Sequence, residues 1–189
     1  MRLDDGGLLA ALHEGMFQQP LWHDFLEKLR MRTGAIYTTL VFRPVDEDAI
    51  VELHAGPPPP THLHSLFIEK YGRDPFPYRH MREGRAYTLA ELLEQSAPVD
   101  RALPRDPVLP QGITDMRSIR VTEPSGVDGW LACAGGASIG SAVSALLTGL
   151  APHLRIALRS FVALEREKLR STLTTEAFGR LNFGWLTLD

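Results

Sequence analysis

The last third of the chain constrains the fold most, because its apolar residues recur at the spacing of one long helix from about Ser141 to about Arg180. At about 1.5 Å per residue, roughly forty residues span about 60 Å, which exceeds the width of the body that the preceding residues build. We therefore expect the far end to project and to pack against a partner, unless the helix folds back on its own domain. The recurring positions form a seam of the kind that packs against another helix: Val143, Leu147, Leu150, Leu154, Ala157, Phe161 and Leu164.

Two features divide this helix. Pro152 removes one backbone donor and clashes with the preceding turn. Either the helix kinks there, or a short helix ends near Leu150 and a second begins with Pro152 in its first turn. Beyond Leu164 the residues 165–168 are charged, and the apolar stripe becomes thin, continuing only through Leu169, Leu173, Ala177 and Leu181.

The segments at the start of the chain predict helices followed by a hairpin. A first helix opens at residues 8–12, and a second runs from Pro20 to a left-handed cap at Gly34. Residues 35–43 and 49–55 are rich in β-branched and aromatic side chains, which predicts two antiparallel strands.

The middle of the chain predicts a helix and a long excursion. Four prolines at residues 57–60 end the second strand and lead to a helix over residues 61–71. Residues 84–89 predict a short edge strand, followed by a helical turn that Thr88 caps. Residues 96–110 hold four prolines and mixed charge, which is typical of a surface lid over a pocket.

A second hairpin completes the fold prediction. Residues 116–122 alternate apolar and basic side chains, a turn follows, and residues 129–134 form the next strand. The order of helix, hairpin, helix, loops, hairpin and long helix predicts an α+β fold, with an antiparallel sheet that has helices on one face and a cavity under the other. We expect a body over residues 1–140 and a connecting helix over residues 141–180.

Charge and cysteine content exclude several functions. The net charge of −3 offers no electrostatic footprint for nucleic acid, so we expect no DNA binding by this stretch alone. No run approaches the roughly 18 apolar residues of a membrane span, and the first residues lack the layout of a signal peptide. Cys133 is the single cysteine, so no internal disulfide forms, and we expect a cytoplasmic protein without membrane association.

The sequence holds no recognisable catalytic, metal-binding or cofactor-binding set, so we expect a protein that is not an enzyme. The seven histidines lack acidic or cysteine neighbours at ligand spacing, although haem ligation by a single histidine stays an alternative. The glycine-rich residues 135–140 are not followed by a lysine and so do not match a phosphate loop. Cys133 lies on an apolar strand, where a thiol is typically buried and inert.

Four segments together resemble the N-terminal sensory region of bacterial LuxR-type helix-turn-helix transcriptional regulators. That region is PAS/GAF-like and related to the autoinducer-binding fold, and the resemblance covers most of residues 15–165. It implies a domain that senses a small apolar molecule and acts through the long helix on a downstream DNA-binding domain. The segments are WHDFL at residues 22–26, EKYGRDP at 69–75, GRAYTLAEL at 84–92 and LAPHL at 150–154.

Residues 181–189 look like the opening strand of a further PAS-type domain, which implies that the chain is a fragment of a longer regulator. The alternative is a genuine C-terminus whose last strand pairs with the domain's own sheet. A different function also stays open, in which a domain with a filled core binds no ligand and uses the helix only for dimerisation or for docking another protein. The seam of the long helix predicts a homodimer.

The resemblance also implies ligand-contacting residues. Receptors of this fold hold the head group of the ligand with a Trp and a Tyr four residues apart and then the Asp of an Asp-Pro pair. The nearest matches in this sequence are Phe67, Tyr71 and Asp74. Phe67 has no indole donor, and a missing donor leaves a buried carbonyl unpaired, which argues against an acyl-homoserine lactone. Alternatively, Asp74 is a turn residue before Pro75, and Tyr71 belongs to the core.

Strand alternation adds two candidates for the ligand site, Tyr37 on the first strand and Trp130 on the last. Trp130 is chosen for its size and its place on a strand. On the strand between them, Ile119 and Val121 share the apolar face, so we expect this face to point toward the ligand. The predicted helix opposite would contribute one stripe at four-residue spacing, made of Leu63, Phe67 and Tyr71.

Overall fold

The computed structural model describes residues 7–43, 51–57, 80–95, 113–136 and 139–180, with side chains described as far as residue 171. A short 3-10 turn follows the first helix at Gly15–Phe17. The predicted helix over residues 61–71, the predicted lid over 96–110 and the strand over 181–189 lie outside these residues. The described elements are α1 Leu8–Glu14, α2 His23–Thr33, β1 Tyr37–Arg43, β2 Val51–Ala55, β3 Ala86–Thr88, α3 Leu89–Gln95, β4 Asp115–Thr122, β5 Asp128–Gly135 and α4 Ser141–Arg180.

The five described strands form one antiparallel sheet in the order β2-β1-β5-β4-β3. Both predicted hairpins are present, and β1 pairs with β5 to join them, with Leu40 opposite Leu131. β1, β5 and β4 are therefore the internal strands, which suits their β-branched and apolar side chains. The predicted α+β fold, with an antiparallel sheet flanked by helices and a long C-terminal helix, is confirmed.

Two helix ends lie where the sequence places them, whereas α2 begins at His23 and not at the predicted Pro20. Gly34 adopts a left-handed conformation with φ of 66° at the end of α2, and its N–H donates to the carbonyl of Arg30. At the start of α3, the N–H of Glu91 donates to Thr88 Oγ1 over 3.1 Å, and the N–H of Thr88 donates to Glu91 Oε2 over 2.9 Å. This reciprocal pair satisfies two donors that a helix start leaves free, so the predicted cap at Thr88 is confirmed.

One face of the sheet, which we call the helical face, is covered by α1, α2 and α4. Its strand residues include Leu40, Phe42, Ile119, Val121, Leu131 and Cys133.

Trp22 fills the centre of this packing and is fully buried. Its indole N–H donates to the carbonyl of Leu12 over 2.8 Å, and its ring meets Phe42 and Phe161 edge-on, at centroid distances of 6.0 and 5.2 Å. Gly15 gives the ring room, because a Cβ at that position would lie 2.2 Å from Trp22 Cδ1. A large aromatic group is thus buried with its polar atom satisfied, as buried indoles require.

The long helix is a single element from Ser141 to Arg180 with Pro152 inside it. The predicted helix is confirmed, and the alternative of two separate helices around Leu150 is wrong. Packing of the surrounding turns against the sheet holds the helix together at the position where proline removes one backbone hydrogen bond.

The seam of α4 packs inside its own domain, contrary to the expectation that it faces a partner. Four successive residues of the seam are fully buried against the helical face, namely Leu147, Leu150, Leu154 and Ala157. Phe161 and Leu164 are half-buried, and Leu169 is 60% exposed. Helical periodicity marks the apolar stripe but does not say which surface covers it, and here the sheet of the same chain supplies that surface.

By length and composition, α4 over Ser141–Ser171 is apolar enough to cross a membrane, contrary to the expectation that no run approaches a membrane span. Within its most apolar window, 44% of the residues are buried inside the protein. The core helix of a folded domain meets the same criterion, so this finding is weak evidence for a membrane span.

Candidate functional site

The register of the sheet shows which residues lie on the face opposite the helical face, and we call this second face the Trp130 face. Residues directly opposite each other in an antiparallel pair point to the same side. Val41 lies opposite Trp130, Trp130 opposite Arg120, and Ala132 opposite Ser118. The strand residues of this face are Tyr37, Thr39, Val41, Arg43, Glu52, His54, Tyr87, Met116, Ser118, Arg120, Thr122, Asp128, Trp130, Ala132 and Ala134.

The two candidates Tyr37 and Trp130 therefore share one face, but Ile119 and Val121 do not belong to it. Ile119 and Val121 are fully buried on the helical face. The expectation that these two residues point toward the same site as Tyr37 and Trp130 is wrong. The physical reason is that the apolar side of β4 packs against the helices. The side of β4 that carries both apolar and polar residues therefore belongs to the other face.

A smaller apolar cluster lies on the Trp130 face. Short α3 and the segment before β3 pack there, and the partly buried Val41, Leu93 and Ala134 adjoin the cluster. Its buried members are Met81, Tyr87, Leu89, Leu92, Met116, Trp130 and Ala132.

Ser118 lies in the middle of this face. Its side chain is fully buried, and its Oγ has no hydrogen-bond partner among the residues that the structure describes. Tyr87 of β3 and Ala132 of β5 are its neighbours directly across the two adjoining strands. Sequence reasoning did not select Ser118. The available signal was a small hydroxyl residue in the centre of a strand, between Met116 and Arg120 on the same face.

Tyr37 lies at the other end of the Trp130 face. It is opposite Ala134, four residues along β5 from Trp130, so about 13 Å separates their backbones. Its ring packs on the backbone of Gly56, where an added Cβ would lie 2.8 Å from Tyr37 Cδ1. Burial raises the pKa of the Tyr37 hydroxyl, which therefore stays protonated and able to donate.

A charged network closes the end of the face near Trp130. Nη2 of Arg120 donates to both carboxylate oxygens of Asp128, over 2.9 and 3.0 Å, and Thr122 Oγ1 donates to the same carboxylate over 2.7 Å. Nη1 of Arg120 also reaches the carbonyl of Met81 over 3.4 Å. The cation and the carboxylate neutralise each other, so this network adds no net charge to the face.

Three of the five predicted contact residues, Phe67, Tyr71 and Asp74, lie outside the described residues. Tyr37 and Trp130 are described and lie on the same face.

Within the described segments, the acidic, histidine and cysteine side chains form no group of three or more that could hold a metal. Cys133 is buried on the helical face, where burial raises the pKa of its thiol to about 12, against a weaker opposing effect of a hydrogen bond with Thr33. The expectation of a buried thiol is confirmed, and a raised pKa is typical of an unreactive cysteine.

No family model and no curated protein sequence matches this chain. Solved structures do match its fold. SdiA from Escherichia coli has a TM-score of 0.51 at 13% identity, over 71% of this chain and 59% of the SdiA chain. An SdiA structure in complex with octanoyl-rac-glycerol gives the same TM-score of 0.51. This chain therefore spans somewhat more than half the length of SdiA.

Two further structures cover nearly all of the matched protein. CepR2 from Burkholderia cenocepacia, an N-acylhomoserine lactone-dependent LuxR-family transcription factor, has a TM-score of 0.53 at 12% identity, over 85% of this chain and 96% of CepR2. A GAF domain/HD domain protein from Geobacter sulfurreducens has a TM-score of 0.50 at 15% identity, over 86% of this chain and 99% of that protein. The likeness in fold to LuxR-family and GAF-type structures is confirmed, and at these identities it concerns the fold alone.

Proposed function

We propose that this chain is the sensory domain of a LuxR-type transcriptional regulator and binds a small apolar molecule on the Trp130 face. The observation that carries the proposal is the asymmetry of the sheet. The helical face is covered by three helices and filled, whereas the Trp130 face combines an apolar cluster with a buried, unpartnered hydroxyl at Ser118. Apolar surface with a few converging polar groups is the usual composition of a small-molecule site.

Tyr37 and Trp130 are proposed as ligand contacts at the two ends of this face. Trp130 supplies a large apolar surface that is only 4% exposed, and Tyr37 supplies a protonated hydroxyl. Phe67, Tyr71 and Asp74 remain proposed contacts from the resemblance. SdiA and CepR2 are described with octanoyl-rac-glycerol and with N-acylhomoserine lactone, which supports an apolar acyl-type ligand for a domain of the same fold.

A chain of polar contacts supports transmission from this face to α4. Oε1 of Glu83 accepts from Nη2 of Arg155 on α4 over 2.6 Å and from the N–H of Thr122 over 3.1 Å. The backbone of Glu83 also forms an isolated β-bridge with that of Arg120, whose guanidinium belongs to the charged network of the Trp130 face. We propose that ligand occupancy shifts this segment and with it α4, and that α4 passes the change to a downstream DNA-binding domain.

The proposed homodimer uses α4 beyond the part that its own domain buries. Leu158 is the last fully buried residue of the helix among those whose side chains are described, and Leu169 is 60% exposed. We propose that the apolar stripe through Leu164 and Leu169 pairs with that of a second copy. The domain itself is proposed to be cytoplasmic and to bind no DNA.

The test is extraction and mass spectrometry of small molecules from the purified chain, followed by titration of the released compound. Trp130 fluorescence is expected to change on binding, and the change is expected to disappear in Trp130→Phe while far-ultraviolet circular dichroism stays unchanged. Trp22 is an internal reference, because it is sealed on the opposite face. A chain that yields no compound and shows no ligand-linked change at Trp130 would instead be the ligand-free interaction module.

Coupling to α4 is tested separately with Glu83→Gln. This variant is expected to bind the released compound with unchanged affinity, because Glu83 is exposed and lies at the edge of the face. It is expected to lose the ligand-induced change in hydrogen exchange along α4, since the ion pair to Arg155 is weakened. An unchanged exchange response in Glu83→Gln would contradict this route of transmission.

A further inference from the structure

Ser118 differs from the other buried polar side chains of the described chain. Three comparable residues have partners: Thr33 Oγ1 donates to the carbonyl of Leu29 and Thr38 Oγ1 to that of Leu26, each over 2.8 Å, and Glu123 accepts from the N–H of Ser125 over 2.6 Å. Of these four buried polar residues in the described part of the chain, only Ser118 lacks a hydrogen-bond partner. Buried hydroxyls are normally satisfied, so a missing partner calls for a specific explanation.

The neighbouring strands do not supply that partner. β4 is internal at this position, so its backbone and those of β3 and β5 are engaged in the ladder. Ala132, across β5, has no polar side-chain atom. Tyr87, across β3, accepts from the N–H of Arg82 over 2.9 Å at its hydroxyl. The partner of Ser118 must therefore approach from above the sheet, on the Trp130 face.

The surroundings define the chemistry of that partner. Met116, Trp130 and Ala132 form an apolar surface around the hydroxyl. Among the described residues, Arg120 is paired with the carboxylate of Asp128, and Arg85, which lies over the ring of Tyr87, is paired with Glu91. The exposed carboxylate of Glu52 lies three strands away on β2, so the described surface next to Ser118 offers no free positive charge to an anionic head group. An anionic ligand would lose its hydration without a compensating ion pair, and this cost favours a neutral molecule.

We infer that Ser118 Oγ donates a hydrogen bond to an uncharged oxygen of a largely apolar ligand, such as the carbonyl of a neutral ester or amide with an alkyl chain. The alkyl part lies on Met116 and Trp130, and Ser118 fixes the position of the polar group. This inference rests on the proposed function, because it requires the ligand to lie on the Trp130 face.

The first experiment needs no ligand. Ser118→Leu adds three carbons on the Trp130 face, and Thr38→Leu is the matched change on the helical face, where Thr38 is equally buried and bonded to Leu26. Space reserved for a ligand accommodates the larger side chain, so Ser118→Leu is expected to unfold within a few degrees of the wild type, while Thr38→Leu unfolds at a much lower temperature. Equal and large losses in both variants would show that Ser118 is close-packed and would overturn the inference.

The second experiment uses 1-octanoylglycerol as the probe, titrated by calorimetry. Ser118→Ala is expected to bind about tenfold more weakly than the wild type, the usual value of one hydrogen bond. Ser118→Thr keeps the hydroxyl and is expected to bind within about threefold of the wild type, and Ser118→Leu is expected not to bind. Ser160→Ala, at an exposed serine of α4, is the control and is expected to bind normally.

The outcomes separate this inference from the proposed function. Equal affinity of the wild type and Ser118→Ala for 1-octanoylglycerol would overturn the role of Ser118 and leave the sensory function intact. A wild type that binds the compound extracted from it, but not 1-octanoylglycerol, would overturn the neutral acyl class.

Discussion

The two faces of the same five-stranded sheet satisfy their polar atoms differently. On the helical face, Trp22, Thr33 and Thr38 each direct their polar atom at a backbone carbonyl over 2.8 Å. On the Trp130 face, Ser118 is fully buried, and its hydroxyl has no partner in the described part of the chain. An unsatisfied buried hydroxyl costs about 1–3 kcal/mol, and among the described residues this cost is found on the Trp130 face and not on the helical face.

This difference suggests separate roles for the two faces, in which the helical face stabilises the domain and the Trp130 face is the proposed ligand site. The helical face takes up the seam of α4 and an aromatic cluster of Trp22, Phe42 and Phe161. Most of the stabilising burial among the described residues is therefore on that side. The Trp130 face has a smaller apolar cluster and an ion pair between Arg120 and Asp128, and we propose that its unpartnered hydroxyl at Ser118 binds the ligand.

The largest expected effect comes from placing a charge in the seam of α4. Leu154→Asp buries a carboxylate at a position with 0% exposure and is expected to cost more than about 4 kcal/mol, which is enough to unfold the domain. The matched Ile156→Asp, at a position of α4 that is 53% exposed and outside the seam, is expected to change the free energy of unfolding by less than about 0.5 kcal/mol. Urea denaturation followed by circular dichroism measures both, and a folded Leu154→Asp would contradict the packing of α4.

The second expected effect tests the fit around Trp22. Gly15→Ala places a Cβ 2.2 Å from the Trp22 ring and is expected to destabilise the domain by about 1–3 kcal/mol through overpacking. Gly140→Ala, where the added Cβ meets nothing within 4 Å, is the control and is expected to change stability by less than about 0.5 kcal/mol. Equal thermal midpoints for the two variants would show that the helical face is loosely packed around Trp22.

The third prediction is that removing a buried hydroxyl changes the free energy of unfolding in opposite directions on the two faces. Ser118→Ala removes an unpartnered hydroxyl and is expected to raise the free energy of unfolding of the ligand-free domain by about 1 kcal/mol. Thr38→Val removes a hydroxyl that donates to the carbonyl of Leu26, so this hydrogen bond is lost. The variant is expected to lower that free energy by about 1 kcal/mol. Chemical denaturation of the two variants tests the contrast, which fails if both changes have the same sign.

The smallest effect at neutral pH concerns Cys133. Burial raises the pKa of its thiol to about 12 from an ordinary value of 9.0, so the folded state holds this proton more tightly than the unfolded state. The thiol's contribution to stability is therefore complete below about pH 9 and is lost as the pH rises from there toward 12. Cys133→Ala is expected to show a shallower loss of stability over this range, and iodoacetamide at pH 8 is expected to label only unfolded wild-type protein.

The sequence determined the local elements because their signals are local. Glycine at position 34 caps α2, Thr88 and Glu91 form the reciprocal cap of α3, and the apolar spacing from Ser141 marks one long helix. Residues within four positions of each other produce each of these features, so a single sequence is sufficient to predict them. The resemblance to the LuxR-type sensory region rested on four short sequence segments, which are local signals as well.

Only the tertiary structure decided which surfaces meet. Alternation along β4 separates Ile119 from Ser118 but does not tell which side the helices cover, and helical spacing marks the seam of α4 without naming its partner. Both answers depend on the pairing of β1 with β5, which joins two hairpins that are far apart in the chain and creates one face broad enough for three helices. That pairing buried Leu154 in its own domain and left Trp130, Tyr37 and Ser118 together on the other side of the sheet.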